Sequence, residues 1–222
     1  RVQGYIKILD EKSQRLKQLT ADLVEASKIS SGNVKLDMQV IDLVELVYQT
    51  SGEFNEKFEQ KELTIVTKLP KTAVLIRADG RQLYRVIENL YNNVAKYALE
   101  KTRVYVDIAY VEEKVVFSIK NVSEHSLARE NSNAGDLTER FIRGDSSRTT
   151  EGSGLGLSIA KSLTVLMGGV FDIKVDGDLF KASITFPQYV DENSSNPKME
   201  EPASEDDYEI EELEPEERTE EE

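Results

Sequence analysis

The chain has 222 residues, enough for one or two modest domains, and 39% of them are hydrophobic, enough to bury a core. Its net charge of −14 comes from residues 191–222, which hold sixteen acidic and two basic side chains, whereas residues 1–190 are neutral overall. A neutral body argues against nucleic-acid binding, and no run of about 18 apolar residues indicates a membrane span. Cysteine is absent, which is consistent with a reducing compartment.

The first segment predicts one long helix. Apolar residues over 2–30 recur at spacings of three, four and seven, a pattern typical of a coiled-coil seam. Such a helix needs a partner to be stable. Because the sequence starts at Arg1 within this pattern, we interpret the chain as a fragment of a longer protein. The seam comprises Ile6, Leu9, Leu16, Leu19, Leu23, Ala26 and Ile29.

Short strands and a second helix follow. Alternating apolar residues predict a strand over 34–40. Asp42 with Glu45 forms a capping-box pattern, which begins a helix that extends to about residue 60. Two further strands are predicted at 63–67 and 73–77.

The segment 79–99, DGRQLYRVIENLYNNVAKYAL, predicts the helix around which the rest is organised. Asp79 with Gln82 forms its N-cap pattern, and apolar residues recur along one face. Carboxamide oxygens suit Mg²⁺ and an ammonium group suits phosphate, although a solvated face would give the same pattern. The polar residues that share a second face are Asn89, Asn93, Lys96 and Tyr97.

The remaining elements predict a sheet packed against helices. Strands are expected at 103–110 and 115–120, and at 171–175 and 179–186 around an Asp176-Gly177 hairpin signal. Between these pairs, the glycines of EGSGLGLSIAKSLTVLMGG (151–169) precede an apolar-periodic helix. A helix N-terminus of this kind can bind phosphate. Together the elements predict the α/β class, as a two-layer α/β sandwich.

Two segments lack regular patterns. Residues 122–152 are rich in Gly, Ser, Asn and Arg, with a short helix expected near 137–141. A loop of this length is usually either functional or a mobile surface loop. The acidic tail, 190–222, has too little apolar surface to fold alone and is expected to be disordered.

Three motifs, in their order and spacing, carry a family resemblance. NLYNNVAKY (89–97), RFIRGDSSR (140–148) and GSGLGLSIAKSL (152–163) resemble the ATP-binding domain of sensor histidine kinases. That domain belongs to the ATPase group of DNA gyrase, Hsp90 and MutL, and the resemblance covers about residues 5–187. It implies the second helix of a dimerisation hairpin at 1–33, an ATP-binding catalytic domain at 34–189 and an ATP lid at about 122–152.

The resemblance implies a role for each residue of the motifs. Asn93 would bind Mg²⁺ with Asn89 supporting it, Lys96 would pair with phosphate, and Tyr97 would pack on the adenine or ribose. Arg143 and Arg148 are lid candidates for the γ-phosphate, although surface arginines are common. The nucleotide-binding set is completed by Asn121, Gly152, Gly154, Leu155, Gly156 and Leu157.

One site departs from the family pattern, and one position separates kinases from hydrolases. The family has Asp-x-Gly-x-Gly on the adenine side, where this sequence has Asn121-Val122-Ser123. A carboxamide can still accept from an amine, but a neutral contact is weaker than a charge-assisted one. In the gyrase and Hsp90 branches a glutamate that activates water stands where this chain has Asn89, so phosphate transfer is favoured over hydrolysis.

The resemblance implies a cytoplasmic catalytic part of a two-component sensor, with ATP and Mg²⁺ as cofactors. The ATP γ-phosphate would pass to a histidine on the first hairpin helix, which this sequence lacks, and then to a response regulator. His125, the only histidine, falls in the lid and does not match the acceptor. The complete protein would form a homodimer through the hairpin, and membrane anchoring is a further expectation.

Two other functions stay open at this point. One is a non-catalytic interaction module whose ATP site is degenerate at 121–123. The other is an ATP-driven clamp of the gyrase or Hsp90 type, which Asn89 disfavours.

Overall fold

A computed structural model describes residues 2–30, 34–124, 155–190 and 208–213. Within these ranges the chain forms four α-helices and eight β-strands. The helices are α1 (Val2–Ser30), α2 (Leu43–Glu59), α3 (Gly80–Tyr97) and α4 (Gly156–Leu166). The strands are β1 (Gln39–Asp42), β2 (Thr64–Pro70), β3 (Leu75–Ala78), β4 (Arg103–Val111), β5 (Lys114–Val122), β6 (Val170–Asp176), β7 (Leu179–Pro187) and β8 (Tyr208–Leu213).

The described strands form a six-stranded sheet in the order β6-β7-β5-β4-β2-β8 and a smaller sheet of β1 and β3. In the large sheet β2 and β4 are parallel, and all other neighbours are antiparallel. One face packs against α2, α3 and α4, and the hydrophobic core lies between these layers. The other face presents exposed polar residues such as Arg103, Asp172 and Lys174. The predicted two-layer α/β sandwich is therefore confirmed.

The long helix α1 contacts the body through its C-terminal part. Asp22 is buried and lies 3.9 Å from the Arg85 guanidinium of α3, and Ala26 and Ile29 pack against the core. Further towards the N-terminus, seam residues such as Leu9 and Leu16 are exposed. The C-terminal part of the predicted seam is thus covered by the body, whereas its N-terminal part has no partner within the described ranges. None of the described helices is both long enough and apolar enough to cross a lipid bilayer.

The strand predicted at 34–40 is wrong in its position. The ladder is formed by β1, where Ile41 lies opposite Ile76 of β3. Residues 34–38 alternate between half-buried and exposed, as the pattern predicts, but they join no described strand. Instead, the backbone N–H of Asp37 donates to Asp79 Oδ2 at 2.9 Å. The apolar alternation indicates burial here, not strand pairing.

The β6–β7 hairpin turns one residue later than its sequence signal indicates. Asp176 pairs with Leu179, so the loop is Gly177-Asp178. Gly177 has φ +60, whereas Asp178 is not among the described residues with positive φ. A positive φ at the first loop position alone is typical of a type II′ turn, which favours Gly there.

Part of the tail that was expected to be disordered forms a strand. Residues 208–213 pair antiparallel with β2 as β8. Strand pairing uses the backbone, so an acidic composition does not prevent it. The rest of the tail lies outside the described residues.

The predicted N-cap of α3 is confirmed, and the same carboxylate also accepts a hydrogen bond from a distant segment. Asp79 accepts from the N–H of Gln82 at 3.0 Å and also from that of Asp37. Burial opposes ionisation of this carboxyl, but the backbone hydrogen bonds outweigh it and hold the pKa of Asp79 below its usual value. The charged form therefore stabilises both the start of α3 and the segment before β1.

This capping makes stability depend on pH. The contribution of charged Asp79 is complete above the unfolded pKa of about 3.9 and is lost as pH falls through the lower folded pKa. We expect Asp79→Asn and Asp79→Ser, which do not titrate, to lower the free energy of unfolding near neutral pH, with the deficit shrinking below about pH 4. Urea unfolding over a pH series measures this, and a deficit that is constant with pH would contradict it.

A second constraint lies where α4 returns to the sheet. A Cβ atom at Gly169 would lie 2.6 Å from the Phe186 ring and 2.9 Å from Thr164 Cγ2. Phe186 is buried in β7, and Thr164 is buried in α4. Neither neighbour can move without disturbing the core, so only glycine allows this close approach.

Two alanine substitutions should therefore act in opposite directions. Gly169→Ala should destabilise the chain by about 1–3 kcal/mol through overpacking. Gly52→Ala is the matched control, because Gly52 is at an exposed position of α2 and a Cβ atom there would meet nothing within 4 Å. It should stabilise the chain by roughly 0.5–1 kcal/mol through helix propensity. Urea unfolding of both variants checks the pair, and equal shifts would refute the packing argument.

Candidate functional site

The polar row predicted on α3 lies along one side of the helix. Asn89, Asn93, Lys96 and Tyr97 are all half-buried. The row is about 12 Å long, from the rise of about 1.5 Å per residue. The apolar positions Leu83, Ile87, Leu90 and Val94 are buried on a neighbouring face, about 100° round the helix from the polar row. One helix thus anchors itself in the core while presenting carboxamides, an ammonium and a phenol together.

The start of α4 meets this row at Asn89. A Cβ atom at Gly156 would lie 3.0 Å from Asn89 Oδ1 and 3.7 Å from its Cγ. Asn89 cannot easily retreat, because its Nδ2 donates to Arg85 O at 3.0 Å. The two motifs, far apart in sequence, are therefore in contact, and a side chain at position 156 would crowd Asn89.

The N-terminus of α4 has the properties of an anion-binding end. Leu155 occupies the cap position and supplies no side-chain cap. Its carbonyl accepts from Ser158 Oγ at 2.7 Å and from the N–H of Ile159 at 2.9 Å. The N–H groups of the first turn have no acceptor within the helix, and the helix dipole favours negative charge there. Leu157 is buried and holds this turn against the core.

The C-terminal end of α3 is joined to the end of β5. Tyr97 O accepts from the N–H of Glu124 at 2.8 Å, and the N–H of Leu99 donates to Val122 O at 2.9 Å. Ala98 and Ser123 form an isolated antiparallel bridge. Residues 122–124, predicted as the start of the lid, therefore belong to the ordered edge of the site. Asn121 lies at the same edge, next to the end of the polar row.

Sequence reasoning missed one basic residue that supports this junction. Lys61 Nζ donates to Lys96 O at 3.0 Å and Ala98 O at 3.2 Å, and it lies 4.0 Å from Glu124. A cation at a helix C-terminus is favourable because it meets the negative end of the dipole. Lys96 itself places its Nζ 4.8 Å from the Tyr97 ring centroid. No local signal in the sequence links Lys61 to a helix end 35 residues away.

The side-chain oxygen of Asn121 has no hydrogen-bond partner in the part of the chain that the structure describes. Its side chain is 2% exposed and lies on the core-facing side of β5 with Phe117 and Ile119. Nδ2 donates to Val122 O at 2.9 Å, whereas Oδ1 accepts a hydrogen bond from no described residue. A buried acceptor left without a donor destabilises a fold, so it needs an explanation. An amine of a bound base would supply the missing donor.

A metal at this site would have few protein ligands. In the parts of the chain that the structure describes, no cluster of three or more His, Asp or Glu is placed to hold a metal ion. Asn93 is half-buried and makes no hydrogen bond to any described residue. Its carboxamide suits Mg²⁺, which commonly takes one or two protein oxygens beside phosphate and water.

The other predicted site residues lie outside the described ranges. These are Arg143, Arg148, Gly152 and Gly154, together with His125 and the short helix expected at 137–141. The described set is thus Asn89, Asn93, Lys96, Tyr97, Asn121, Leu155, Gly156 and Leu157.

Sequence comparison identifies proteins that are similar to this chain. Residues 78–198 match the family model of histidine kinase-, DNA gyrase B-, and HSP90-like ATPases. The circadian input-output histidine kinase CikA of Synechococcus elongatus is 27% identical over 178 residues, which cover 78% of this chain and 23% of CikA. The chain therefore spans about a quarter of the length of that relative.

Solved structures share the fold. Full-length ShkA in complex with AMPPNP has a TM-score of 0.69 at 21% identity, over 84% of this chain and 38% of ShkA. The histidine kinase AdeS of Acinetobacter baumannii has a TM-score of 0.67 at 18% identity, over 82% of this chain and 83% of AdeS. At these identities the likeness establishes the fold alone.

The unpartnered acceptor of Asn121 predicts a stabilising substitution. In Asn121→Leu the new side chain has a volume similar to that of asparagine and removes the buried oxygen that has no donor. Val122 O keeps its hydrogen bond from the Leu99 N–H. We expect the ligand-free chain to gain about 1 kcal/mol in the free energy of unfolding. Asn92→Leu, at an exposed position of α3, should stay within about 0.5 kcal/mol of the original chain. A loss of stability in Asn121→Leu by urea unfolding would contradict this expectation.

Proposed function

The chain belongs to the family of histidine kinase-, DNA gyrase B- and HSP90-like ATPases, and on this premise we propose that it is the ATP-binding catalytic part of a two-component sensor histidine kinase. The observation that carries the proposal is the contact of Asn89 with Gly156. It joins the carboxamide row of α3 to the N-terminus of α4. A site with carboxamides on one wall and a helix N-terminus on the other suits a magnesium–nucleotide complex.

In this proposal the base lies at Asn121 and the phosphates lie towards Asn89 and α4. Asn121 Oδ1 accepts from the adenine amine, which resolves its lack of a partner. Asn93 holds Mg²⁺ together with phosphate oxygens, Lys96 pairs with phosphate, and Tyr97 packs on the adenine or ribose. When bound, Mg²⁺ would neutralise triphosphate charge and orient the γ-phosphate for transfer.

The proposed reaction is phosphate transfer, not ATP hydrolysis. In a hydrolase of this family a carboxylate would activate water from the position of Asn89, whose amide instead donates to Arg85 O. An amide has no basic site with which to deprotonate water. The acceptor would be a histidine on a dimerisation helix, and a response regulator would receive the phosphate next. Residues 34–189 would form the catalytic domain, and Arg143 and Arg148 would belong to its lid.

The exposed seam of α1 supports the proposed homodimer. Residues 1–33 would be the second helix of a dimerisation hairpin, and the exposed side chains of Leu9 and Leu16 would pack in the helix bundle of the complete protein. The chain would then be the cytoplasmic part of a sensor that is anchored in a membrane.

Titration calorimetry with a non-hydrolysable ATP analogue tests the nucleotide site. We expect magnesium-dependent binding by the original chain and a loss of about tenfold or more in affinity in Asn93→Ala, because the metal ligand is removed. Asn92→Ala is the matched control, since Asn92 is adjacent but exposed and pairs with Lys57 at 3.2 Å. It should bind as the original chain does.

Each alternative has its own outcome in this experiment. No binding by the original chain would support the interaction-module interpretation. Binding that is indifferent to Asn93 but lost in Asn121→Leu would leave the base site intact and refute the metal assignment. Steady ATP hydrolysis by the chain would favour the clamp type of ATPase.

A further inference from the structure

The strand β8 covers an edge of the large sheet. It pairs antiparallel with β2 over six residue pairs, from Pro70 opposite Tyr208 to Ile65 opposite Leu213. On its other side β2 pairs with β4. Without β8, β2 would be the outermost strand, and its outward N–H and C=O groups would be open to another strand.

The sequence of β2 makes an uncovered edge a liability. TIVTKLP is rich in β-branched residues and carries one charge, Lys68. Such a segment has high strand propensity and little charge to repel a neighbour. Pro70 removes a donor only at the last position.

A second copy of the chain fits this edge well. The edge accepts its partner in the antiparallel direction, as the pairing with β8 shows. Two β2 strands that pair antiparallel are related by a two-fold axis, so one edge satisfies both copies at once. The bodies that would meet, residues 1–190, are neutral overall and do not repel each other strongly.

The tail replaces this edge with a charged one. β8 contains Glu209, Glu211 and Glu212, and residues 208–222 hold nine acidic side chains and one basic one. Charged edge strands resist pairing with further strands. The acidic segment also complements Lys68 and the nearby Lys71 on the β2 side, so charge favours the tail at this edge and opposes a second tail.

We propose that residues 208–213 act in cis as an edge cover, which occupies the β2 edge and thereby prevents β2 from pairing with β2 of a second copy. The function of the acidic tail, in this proposal, is to keep the sheets of neighbouring molecules apart. The proposal does not depend on nucleotide binding, and none of its tests uses nucleotide.

Cross-linking tests whether the cover is present and in cis. The chain has no cysteine, so any disulfide in a variant with two introduced cysteines must join those two residues. Val66 lies opposite Glu212, at a separation suited to a disulfide. Val66→Cys with Glu212→Cys should form an intramolecular disulfide on mild oxidation, and Val66→Cys with Glu217→Cys should form little. An intermolecular link, or equal yields from the two pairs, would overturn the cis assignment.

A proline tests the consequence without changing the charge of the tail. Ile210→Pro removes an N–H in the middle of β8, whereas Thr219→Pro makes a similar change in the tail outside β8. At low protein concentration, amide exchange in 64–70 should accelerate by about tenfold or more in Ile210→Pro only. As protein concentration rises, the average mass of Ile210→Pro by light scattering should exceed that of the original chain. A chain that ends at Asp207 should show the same increase in mass as Ile210→Pro.

The original chain is the reference for mass because the exposed N-terminal part of α1 would itself pair in the proposed homodimer. Pairing through the α1 seam should contribute equally to all variants, so only the added mass reports the β2 edge. If exchange in 64–70 is the same in Ile210→Pro and the original chain, β8 does not cover the edge. If exchange accelerates but no added mass appears, the edge is covered but has no role in keeping copies apart, and the proposal fails.

Discussion

The approach of α4 to α3 at Gly156 is the constraint on which the candidate site depends. A side chain at position 156 would crowd Asn89, which its bond to Arg85 O holds in place. The same helix α4 is fixed at its other end by Gly169, where a side chain would enter the ring of Phe186. Two glycines, one at each end, therefore let α4 lie close to both the polar row and the sheet.

The site combines elements whose positions have separate causes. The apolar face of α3 fixes the polar row through burial, since Leu83, Ile87 and Leu90 are almost fully enclosed. The edge at Asn121 is fixed by backbone hydrogen bonds from residues 122–124, and Lys61 closes the end of α3. The residues that fix these elements are thus different from the candidate binding residues. Asn121 is the exception, because its buried acceptor has no donor among the described residues and so disfavours the ligand-free fold.

The sequence predicted features whose causes are local. The period of α3, its cap at Asp79 and the cap of α2 at Asp42 depend on residues a few positions apart, and the structure confirms them. Contacts between distant segments, such as Lys61 with Lys96 O, leave no trace in spacing. The meeting of Asn89 and Gly156 was expected only through family resemblance. Composition was misleading for β8, because charge predicts solvation while strand pairing depends on the backbone.

The register of the sheet also gives approximate distances between residues on different strands. Leu213 lies opposite Ile65, Ile65 beside Val104, and Val104 opposite Asn121, so one row of residues crosses four strands. With strands about 4.8 Å apart, the end of β8 is about 15 Å from Asn121. Pro187 lies opposite Lys114, at the far end of β5. A fluorophore placed just after Leu213 would therefore sit at the same end of the sheet as Asn121 and about 15 Å from it, whereas one placed after β7 would sit at the opposite end of the sheet.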